Sequence, residues 1–377
     1  MSTESEARIK PTIALFIPSL AGGGAEKMTL HLAGELVRMG YEVDLLLVSK
    51  QGDYSDMIPM GVRAIELGPR RLLSCILPLA AYLNKRKPMA LLSALTLANC
   101  VAIVSRALAC SSVRLLISER NHLTTVTKST ERFSLRFLPL VVGFLYPLAD
   151  VVVGISQGVV EDLRTIAPKV KDEKLHVIYN PVITDDQILS PRSERAPHPW
   201  LSDGSYPVIL AAGRLVPQKD FKTLLTAFSL LRAHRAARLV ILGEGPQREE
   251  LLTMAQSLGV SDDLLMPGFV SNTQDWYSRA DIFVMSSAWE GLGNVLVEAL
   301  FFGLPVVSTD CCSGPSEILD NGKYGMLVPV GDYENLATAI SSTIESPIES
   351  SILKNRAMDF HVSRATKRYL RFVMNPQ

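Results

Sequence analysis

The chain has 377 residues, of which 47% are hydrophobic, 20% charged and 7% aromatic, and a chain of this length is expected to fold as two domains or one large one. This composition excludes a disordered, collagen-like or disulfide-scaffold protein. Lysine plus arginine and aspartate plus glutamate both number 38, and this balance disfavours a generic nucleic-acid binder, which is basic overall.

The first half of the chain alternates predicted strands with helical patterns. Thr12–Ile17 is a short apolar run typical of a buried strand, and three glycines from Gly22 to Gly24 follow it. A helical pattern then runs to Gly40, and the run 42–48 predicts the next strand. Further strands are predicted at 91–95, 114–118 and 151–156.

The second half opens with a segment of different character. Residues 184–207 contain four prolines, several charges and little periodicity, which is typical of an interdomain connection. After it, strands are predicted at Val208–Ala212, Arg238–Leu242, 264–266, 282–286, Val306–Thr309 and 326–330. Helices are predicted at 221–232, 246–258, 272–279, Asn294–Phe302, 333–343 and 350–373.

Strands that alternate with helices predict parallel βαβ units. We therefore expect an α/β protein with two Rossmann-like, doubly wound domains that face each other across a cleft. The expected limits are 1–183 for the first domain, 184–206 for the connection and 207–349 for the second domain. Residues 350–377 are expected to form a C-terminal helix that can pack back on the first domain. Ligands of such sheets bind beyond the carboxyl ends of the strands.

Charge is unevenly distributed along the chain. Residues 1–180 contain 21 Lys and Arg against 16 Asp and Glu, and the stretch 63–136 contains 12 against 3. The apolar stretches in or beside this region are too short or too interrupted to span a bilayer. Basic charge next to such stretches indicates a protein that lies on an anionic membrane surface; a buried parallel-sheet domain with a solvated basic face is the alternative. The expected contacts are Lys85, Arg86 and Lys87, with Lys128, Arg132 and Arg136 as a second group.

The termini and cysteines predict the compartment. The first eleven residues are mostly polar and show no signal peptide. The five cysteines are odd in number and lack a CxxC spacing, so we interpret them as reduced thiols and not as disulfides or zinc ligands. We expect a cytoplasmic protein, peripheral on the cytoplasmic face of the inner membrane.

Three loops carry the residues that favour phosphate chemistry. Gly22, Gly23 and Gly24 lie between a strand and a helix, where glycine lets backbone N–H groups approach a phosphate. The nicotinamide fingerprint would need GxGxxG and an acid about 20 residues later, so this loop is equally a simple tight turn. Arg214 and Lys219 follow the first strand of the second domain and could clamp a diphosphate, unless they are two ordinary surface charges.

A pair of glutamates follows a later strand. Glu290 precedes the helix that starts near Asn294, and Glu298 lies two turns further along it. The backbone at 292–294 would offer N–H groups to a phosphate, Glu298 could accept hydrogen bonds from a ribose diol, and Glu290 could reach sugar hydroxyls. The alternative is a pair of surface acids, which the flanking glycines and apolar residues disfavour.

The stretch EGLGNVLVEALFFGLPVVSTDCCSGPSEIL, with its Glu-x7-Glu spacing, resembles the donor-site signature of the family 4 retaining glycosyltransferases. Further segments resemble the same family in the same order along almost the whole chain: PSLAGGGAEK, SERNH, VIYNP, GRLVPQKDF, LGEGPQREEL and LMPGFVSN. The resemblance implies the GT-B fold, with the acceptor largely on the first domain and the nucleotide-sugar on the second. It is strongest to members that extend lipid-linked oligosaccharides or surface polysaccharides.

The resemblance also implies a role for each matching residue. Arg214 and Lys219 would bind the donor diphosphate, Glu298 the ribose hydroxyls and Glu290 the donor sugar. His122 would match the active-site histidine beside the transferred sugar, or it is a surface histidine in a polar loop. The remaining implied donor contacts are the backbone at Leu292, Gly293, Asn294 and Val295 and the loop at Gly22, Gly23 and Gly24. Glu119 and Arg120, the neighbours of His122, are expected to contact the acceptor or the membrane.

The sequence predicts no metal and no cofactor. It has no DxD pair at a strand end, and cations with helix dipoles can neutralise a leaving diphosphate without a metal. We expect a retaining transferase that moves a sugar from a nucleotide-sugar donor, with UDP as the expected nucleotide, to a hydroxyl of a polyprenyl-diphosphate-linked glycan. The alternatives are a transferase with a soluble acceptor, a sugar-nucleotide epimerase, a non-catalytic subunit of a glycan-synthesis complex and, more distantly, a nicotinamide oxidoreductase.

Overall fold

The computed structural model describes residues 11–21, 23–68, 71–129, 137–189 and 193–374. The chain divides into two compact units. Unit 1 consists of Met1–Ile155, Val159–Pro181 and Val362–Gln377, and unit 2 consists of Ser156–Gly158 and Val182–His361. The predictions at Gly22, Arg132 and Arg136 lie outside the described residues.

Unit 1 alternates strands and helices from its start. Its strands are β1 (Thr12–Ile17), β2 (Glu42–Leu47), β3 (Val62–Glu66), β4 (Ala90–Ala94), β5 (Arg114–Glu119), β6 (Val151–Gly154) and β7 (Leu175–Val177). The helices that precede or follow them are α1 (Gly24–Arg38), α2 (Ile76–Arg86), α3 (Thr96–Leu108), α4 (Leu123–Ser129), α5 (Leu138–Leu145) and α6 (Gln157–Ile166).

Unit 2 continues the same alternation. Its helices are α7 (Asp185–Leu189), α8 (Phe221–His234), α9 (Arg248–Ser257), α10 (Gln274–Tyr277), α11 (Asn294–Phe302), α12 (Pro315–Ile318), α13 (Tyr333–Glu345) and α14 (Ser350–Ala357), and α15 (Val362–Met374) returns to unit 1. Its strands are β8 (Val208–Ala212), β9 (Arg238–Leu242), β10 (Leu264–Gly268), β11 (Ile282–Met285), β12 (Val306–Thr309) and β13 (Met326–Val328).

Each unit is built on one parallel sheet. Among the described residues, the sheet of unit 1 has the order β3-β2-β1-β4-β5-β6-β7 and that of unit 2 has the order β10-β9-β8-β11-β12-β13. The central strands are predominantly apolar because helices cover both faces of such sheets. The order reverses between β1 and β4 and between β8 and β11, and ligands of doubly wound sheets bind at these switch points. The predicted α/β class with two Rossmann-like sheets is confirmed.

The C-terminal segment differs from the predicted single helix. It forms α14, a 3-10 turn at Met358–Phe360 and then α15. The Phe360 carbonyl accepts hydrogen bonds from the Val182 and Ile183 N–H groups at 3.0 and 3.2 Å. A continuous helix would use that carbonyl for its own ladder, so the helix is interrupted there. The segment 184–206 also holds more structure than a bare connection, because it contains α7 and a 3-10 turn at Pro199–Leu201.

A buried carboxylate joins β2, β3 and α2 in unit 1. Asp44 is 1% exposed, and it accepts hydrogen bonds from Arg63 Nε at 2.9 Å and from the Tyr82 hydroxyl. Arg86 reaches Asp44 and also pairs with Glu42 at 2.6 Å. Burial, followed by the hydrogen bond to Asp44, holds the pKa of Tyr82 well above its ordinary value. Part of the basic charge of the stretch 63–136 is therefore neutralised within the fold.

We expect Asp44→Ala to lower the free energy of unfolding by about 3 kcal/mol, because it leaves the Tyr82 hydroxyl and the Arg63 guanidinium without their shared acceptor. Urea denaturation measures this loss. The exposed Asp53 is a matched control, and Asp53→Ala should change stability by less than about 0.5 kcal/mol. Equal denaturation midpoints for the two variants would contradict a structural role for the Asp44 cluster.

Candidate active site

The predicted donor residues of unit 2 lie in loops at the carboxyl ends of its strands. Arg214 and Lys219 follow β8, and Glu290 follows β11. Strands β8 and β11 are neighbours in the sheet at the point where the strand order reverses. The loops that follow β8 and β11 therefore both lie at the switch point of one sheet, where parallel α/β sheets bind their ligands.

Close backbone contacts hold the loop after β8. The Leu215 N–H donates to the Glu244 carbonyl at 2.9 Å, and a Cβ added at Gly243 would collide with the Gly213 carbonyl. The adjacent loop is therefore restricted to glycine at Gly243, where φ is +136°. The Arg214 side chain is exposed, and within the described residues its guanidinium makes no hydrogen bond or ion pair.

Lys219 and Glu290 form a largely buried ion pair. The Lys219 Nζ contacts Glu290 Oε1, with the two side chains 17% and 9% exposed. The Ser287 hydroxyl donates to the same Glu290 oxygen at 2.8 Å, and the Ser313 hydroxyl donates to the Glu290 carbonyl at 2.6 Å. The Ser286 hydroxyl donates to the Lys219 carbonyl at 2.9 Å. Both ends of the pair are thus fixed by hydroxyl groups as well as by each other.

The start of α11 is packed closely against a neighbouring loop. Gly293 precedes the helix with φ of +94°, and Leu292 is 1% exposed. A Cβ added at Gly314 would collide with the Leu292 carbonyl. Asn294 and Val295 form the first turn of α11. The backbone at 292–295 is therefore held rigidly beside Glu290, as a phosphate-binding or sugar-binding segment requires.

Glu298 lies on α11, one turn after Asn294, and is partly exposed. Burial, followed by the negative charge of Glu298, holds the pKa of the Tyr277 phenol well above its ordinary value. Tyr277 comes from α10 and packs against Phe283 and Phe302 with ring centroids 5.4 and 5.8 Å away. The Glu298 carboxylate thus borders an aromatic cluster that supports α11.

In unit 1, the predicted active-site loop follows β5. Glu119 ends the strand with no exposed surface. Its carboxylate accepts from the Thr96 hydroxyl at 3.0 Å, the Arg120 N–H at 2.9 Å and the Tyr146 hydroxyl at 2.7 Å. Burial raises the pKa of Glu119 although these donors oppose the shift. The Glu119 side chain is therefore enclosed by its own unit in this conformation, and its contact with an acceptor or a membrane stays a prediction.

Arg120 is also buried, with 8% of its surface exposed. Its Nη1 donates to the Asn180 side-chain oxygen. The Arg120 guanidinium therefore lies within unit 1, and its contact with an acceptor or a membrane stays a prediction. The same two residues fix the backbone that leads to His122.

His122 is positioned by two side chains that sequence reasoning missed. Its Nδ1 lies 3.1 Å from the Thr125 hydroxyl and 3.5 Å from Asp162 Oδ1. Asp162 is 6% exposed and its Oδ2 accepts from the Thr124 N–H at 3.2 Å. The His122 side chain is 18% exposed. Because Nδ1 faces Thr125 and Asp162, Nε2 is the ring nitrogen left to face a substrate.

The other predicted residues of unit 1 occupy varied positions. Gly23 precedes α1 and Gly24 begins it; a Cβ added at Gly23 would collide with the Glu26 carboxylate. Lys85 and Lys87 are exposed at the end of α2, and Lys128 is exposed at the end of α4. Arg86 is also exposed and pairs with Glu42 and Asp44, and its membrane contact stays a prediction.

The described residues contain neither a metal-binding cluster nor a membrane-spanning helix. No group of three or more His, Cys, Asp or Glu in this part of the chain could hold a metal ion. Every helix that the structure describes is too short or too polar to cross a bilayer.

The matches to known protein families follow the two units. A model described as Glycosyl transferases group 1 matches residues 193–360, and one described as Glycosyltransferase Family 4 matches residues 22–186. The two matches together span most of the chain and include every predicted donor residue. The chain belongs to the family 4 glycosyltransferases, which have the GT-B fold. The family resemblance predicted from the sequence motifs is confirmed.

Individual relatives are glycosyltransferases of bacterial glycan assembly. The chain is 28% identical over 357 residues to the Campylobacter jejuni N-acetylgalactosamine-N,N'-diacetylbacillosaminyl-diphospho-undecaprenol 4-alpha-N-acetylgalactosaminyltransferase, which covers 92% of this chain and 93% of that protein. It is 38% identical over 138 residues to the lipopolysaccharide core biosynthesis glycosyltransferase LpsE of Rhizobium meliloti, which covers 37% of this chain and 39% of that protein.

Solved structures show the same fold at lower identity. HepE of Anabaena, in complex with UDP and glucose, has a TM-score of 0.77 at 20% identity and covers 96% of this chain and 99% of its own. Sucrose-phosphate synthase of Thermosynechococcus elongatus has a TM-score of 0.80 at 19% identity and covers 96% and 98%. These likenesses establish the fold alone.

We expect Glu119→Gln to gain stability relative to the unmodified protein as pH rises from 4.5, the ordinary pKa of glutamate, through the raised pKa of the folded protein. The raised pKa means that the folded chain holds this proton more tightly than the unfolded chain does. Folding is therefore favoured at low pH, and that advantage is lost as pH rises through the folded pKa. The amide keeps one acceptor oxygen and carries no charge, so it avoids this loss.

Thermal unfolding at a series of pH values measures the difference. Glu66 is an exposed glutamate on β3, and Glu66→Gln should show no such trend because water solvates its charge. A stability difference for Glu119→Gln that does not change with pH, or that changes in the opposite direction, would contradict this prediction. It would show that ionising the buried carboxylate does not destabilise the folded protein.

Proposed function

We propose that this protein is a retaining glycosyltransferase that moves a sugar from a nucleoside diphosphate donor to a hydroxyl of a lipid-linked glycan. The observation that carries the proposal is the meeting of Arg214, Lys219 and Glu290 at the β8/β11 switch point of a family 4 chain. UDP is the expected nucleotide. The Campylobacter jejuni relative, matched along 93% of its length, is named for a diphospho-undecaprenol substrate, and this supports a polyprenyl-diphosphate acceptor.

The donor site combines one exposed cation with one neutralised pair. Lys219 and Glu290 cancel each other's charge, so Arg214 supplies the net positive charge that first attracts a diphosphate. When the diphosphate arrives, the ammonium can turn to a phosphate oxygen while the carboxylate accepts sugar hydroxyl groups. Glu298, further along α11, is proposed to hold the ribose diol. The backbone at 292–295 is proposed to complete the phosphate and sugar contacts.

The proposed reaction needs no metal. The bond between the anomeric carbon and the diphosphate oxygen breaks, and negative charge grows on the leaving phosphate. Arg214, Lys219 and the start of α11 are the groups that stabilise this charge, an effect worth several kcal/mol when water is excluded. The acceptor hydroxyl attacks from the face that the phosphate leaves, and its proton passes to that phosphate. This route retains the anomeric configuration without a carboxylate nucleophile.

His122 and the loop around Gly23 are the proposed contributions of unit 1. Asp162 and Thr125 hold the imidazole by Nδ1, and we propose that Nε2 hydrogen-bonds a hydroxyl of the transferred sugar. Glu119 and Arg120 act through the backbone they hold, not by touching the acceptor. We place the protein on the cytoplasmic face of the inner membrane, where a polyprenyl-linked acceptor is exposed to a cytoplasmic sugar donor.

A panel of nucleotide sugars tests the proposal. Purified protein is incubated with each donor and either a polyprenyl-diphosphate glycan or a soluble sugar, with and without EDTA. We expect one donor to be consumed, the sugar to appear on the lipid-linked glycan with retained configuration, and EDTA to change nothing. Transfer only to a soluble sugar would contradict the lipid acceptor, and activity restored by Mg²⁺ after EDTA would contradict metal independence.

We expect Arg214→Ala and Lys219→Ala each to lower kcat/KM by about a hundredfold, because each removes a cation from the leaving diphosphate. Steady-state kinetics with the preferred donor measure the change. The matched control is Lys222→Ala: Lys222 is an exposed cation of the next helix, paired with Glu250, and its loss should leave kcat/KM within about twofold. Turnover near the original value in both test variants would refute the diphosphate assignment.

Substitutions of Glu290 and Glu298 are expected to impair different steps of the reaction. Glu298→Ala should weaken binding of the free nucleoside diphosphate, because a ribose diol loses its acceptor, by about tenfold. Glu290→Ala should mainly reduce sugar transfer. Calorimetry with the nucleoside diphosphate and transfer kinetics measure the two effects. Equal losses of nucleoside diphosphate affinity in both variants would show that the roles are wrongly divided.

A further inference from the structure

A stripe of large apolar side chains is exposed along α5 and the 3-10 turn at Tyr146–Leu148 that follows it. The exposed positions are spaced by three or four residues, so they share one face of a helical segment. Their exposed fractions range from 42% to 70%. The members of this stripe are Phe137, Leu140, Val141, Phe144 and Leu148.

The opposite side of the segment is firmly packed, so the stripe cannot turn inwards. Val142 and Tyr146 have no exposed surface. A Cβ added at Gly143 would lie 2.9 Å from the Ile166 carbonyl at the end of α6. Lys174 also donates to the Pro147 and Ala149 carbonyls, at 3.1 and 2.9 Å. The fold therefore holds this segment in one orientation and leaves its apolar face outside.

This polarity is the reverse of an ordinary surface helix, which places charged or polar residues outside. From Phe137 to Leu148 the sequence is FLPLVVGFLYPL, and its one polar side chain is the buried Tyr146. Contiguous exposed apolar surface of this kind marks an interaction site. A protein interface surrounds its apolar core with a polar, hydrogen-bonding rim, and the stripe itself contributes no exposed hydrogen-bonding side chain.

The surroundings of the stripe suit a lipid surface. Helix α5 packs against α3, which packs against α2, and exposed leucines on this layer include Leu77 at 72% and Leu97 at 44%. Exposed cations accompany it: Lys169 Nζ lies 5.1 Å from the centre of the Phe144 ring, and Lys128 is exposed on α4. Long basic side chains with aromatic and aliphatic residues are typical of helices that lie in a membrane interface.

The charge of the two units favours an anionic bilayer over a second copy of the chain. Unit 1 contains 25 Lys and Arg against 16 Asp and Glu, a net charge of +9, whereas unit 2 contains 13 against 22. Two copies of unit 1 meeting face to face would bring like charges together, while anionic headgroups would neutralise them. The segment is also too short to cross a bilayer, so it would lie along the surface.

We propose that the α5 stripe is the membrane-docking surface of this protein and that its occupant is an anionic phospholipid bilayer. The stripe inserts into the boundary between headgroups and acyl chains, and the nearby lysines contact the headgroups. This inference rests on the proposed function in that a lipid-linked acceptor lies in such a bilayer. It also revises the expected contact, since Arg86 is paired within the fold and Arg120 is buried, whereas the stripe is exposed.

The test is co-sedimentation of the full chain with vesicles of phosphatidylcholine and phosphatidylglycerol, at low salt and without substrate. We expect the unmodified protein to bind, and Leu140→Ser combined with Phe144→Ser to weaken binding at least about tenfold, because two apolar side chains leave the acyl boundary. The matched control combines Leu189→Ser with Phe269→Ser, which changes an exposed leucine and phenylalanine of unit 2 and should leave binding unchanged.

Unmodified protein that ignores these vesicles, or equal binding by the test variant and the control, would overturn the proposal. Light scattering identifies the competing occupant: a dimer that dissociates only in the test variant, with vesicle binding unchanged, would assign the stripe to a second copy. Donor hydrolysis in solution should be the same in all three proteins. The vesicle measurement uses no substrate, so it tests the docking surface even if the proposed transferase function is wrong.

Discussion

The donor half of the structure depends on the ion pair between Lys219 and Glu290. An ion pair this deeply placed loses much of its hydration and is stable only when other groups complete its hydrogen bonds. The Ser287 hydroxyl donates to the Glu290 carboxylate, and Ser286 and Ser313 hold the backbone carbonyls of Lys219 and Glu290. The pair therefore ties the loop after β8 to the loop after β11, across the point where the sheet reverses its order. A donor diphosphate that replaces Glu290 as the partner of Lys219 would bind to two loops that are already ordered. This order lowers the entropic cost of assembling the site.

The two units differ in net charge and in exposed apolar surface. Unit 2 carries the excess of acidic residues, and two of its cations, Arg214 and Lys219, lie in the loop at the switch point where a diphosphate would bind. Unit 1 carries the excess of basic residues and the exposed apolar stripe on α5. The zero net charge of the whole chain conceals this division. A basic, partly apolar unit suits an acceptor anchored in an anionic bilayer, and an acidic unit with a local cationic site suits a small soluble anion.

The sequence predicted the fold class, the family and most strands of the sheets, because buried parallel strands are continuous apolar runs that contrast with the helical periodicity between them. It missed Asp162, Thr125 and Ser287, because a buried aspartate or a common hydroxyl far along the chain carries no local signal of its contacts. It also placed Glu119 on a surface, since the sequence does not show that Thr96 and Tyr146 enclose the carboxylate. The break before α15 was missed because it depends on hydrogen bonds from residues 182 and 183 to Phe360.

The central claim is that the donor diphosphate binds at the β8/β11 switch point of unit 2. A crystal structure of the full chain with UDP tests it most directly. We predict that the diphosphate contacts Arg214 and Lys219, that the ribose hydroxyls contact Glu298, and that Lys219 shifts from Glu290 towards phosphate. A nucleotide bound elsewhere in the molecule, or bound at this edge without either cation within hydrogen-bonding distance of a phosphate oxygen, would contradict the account.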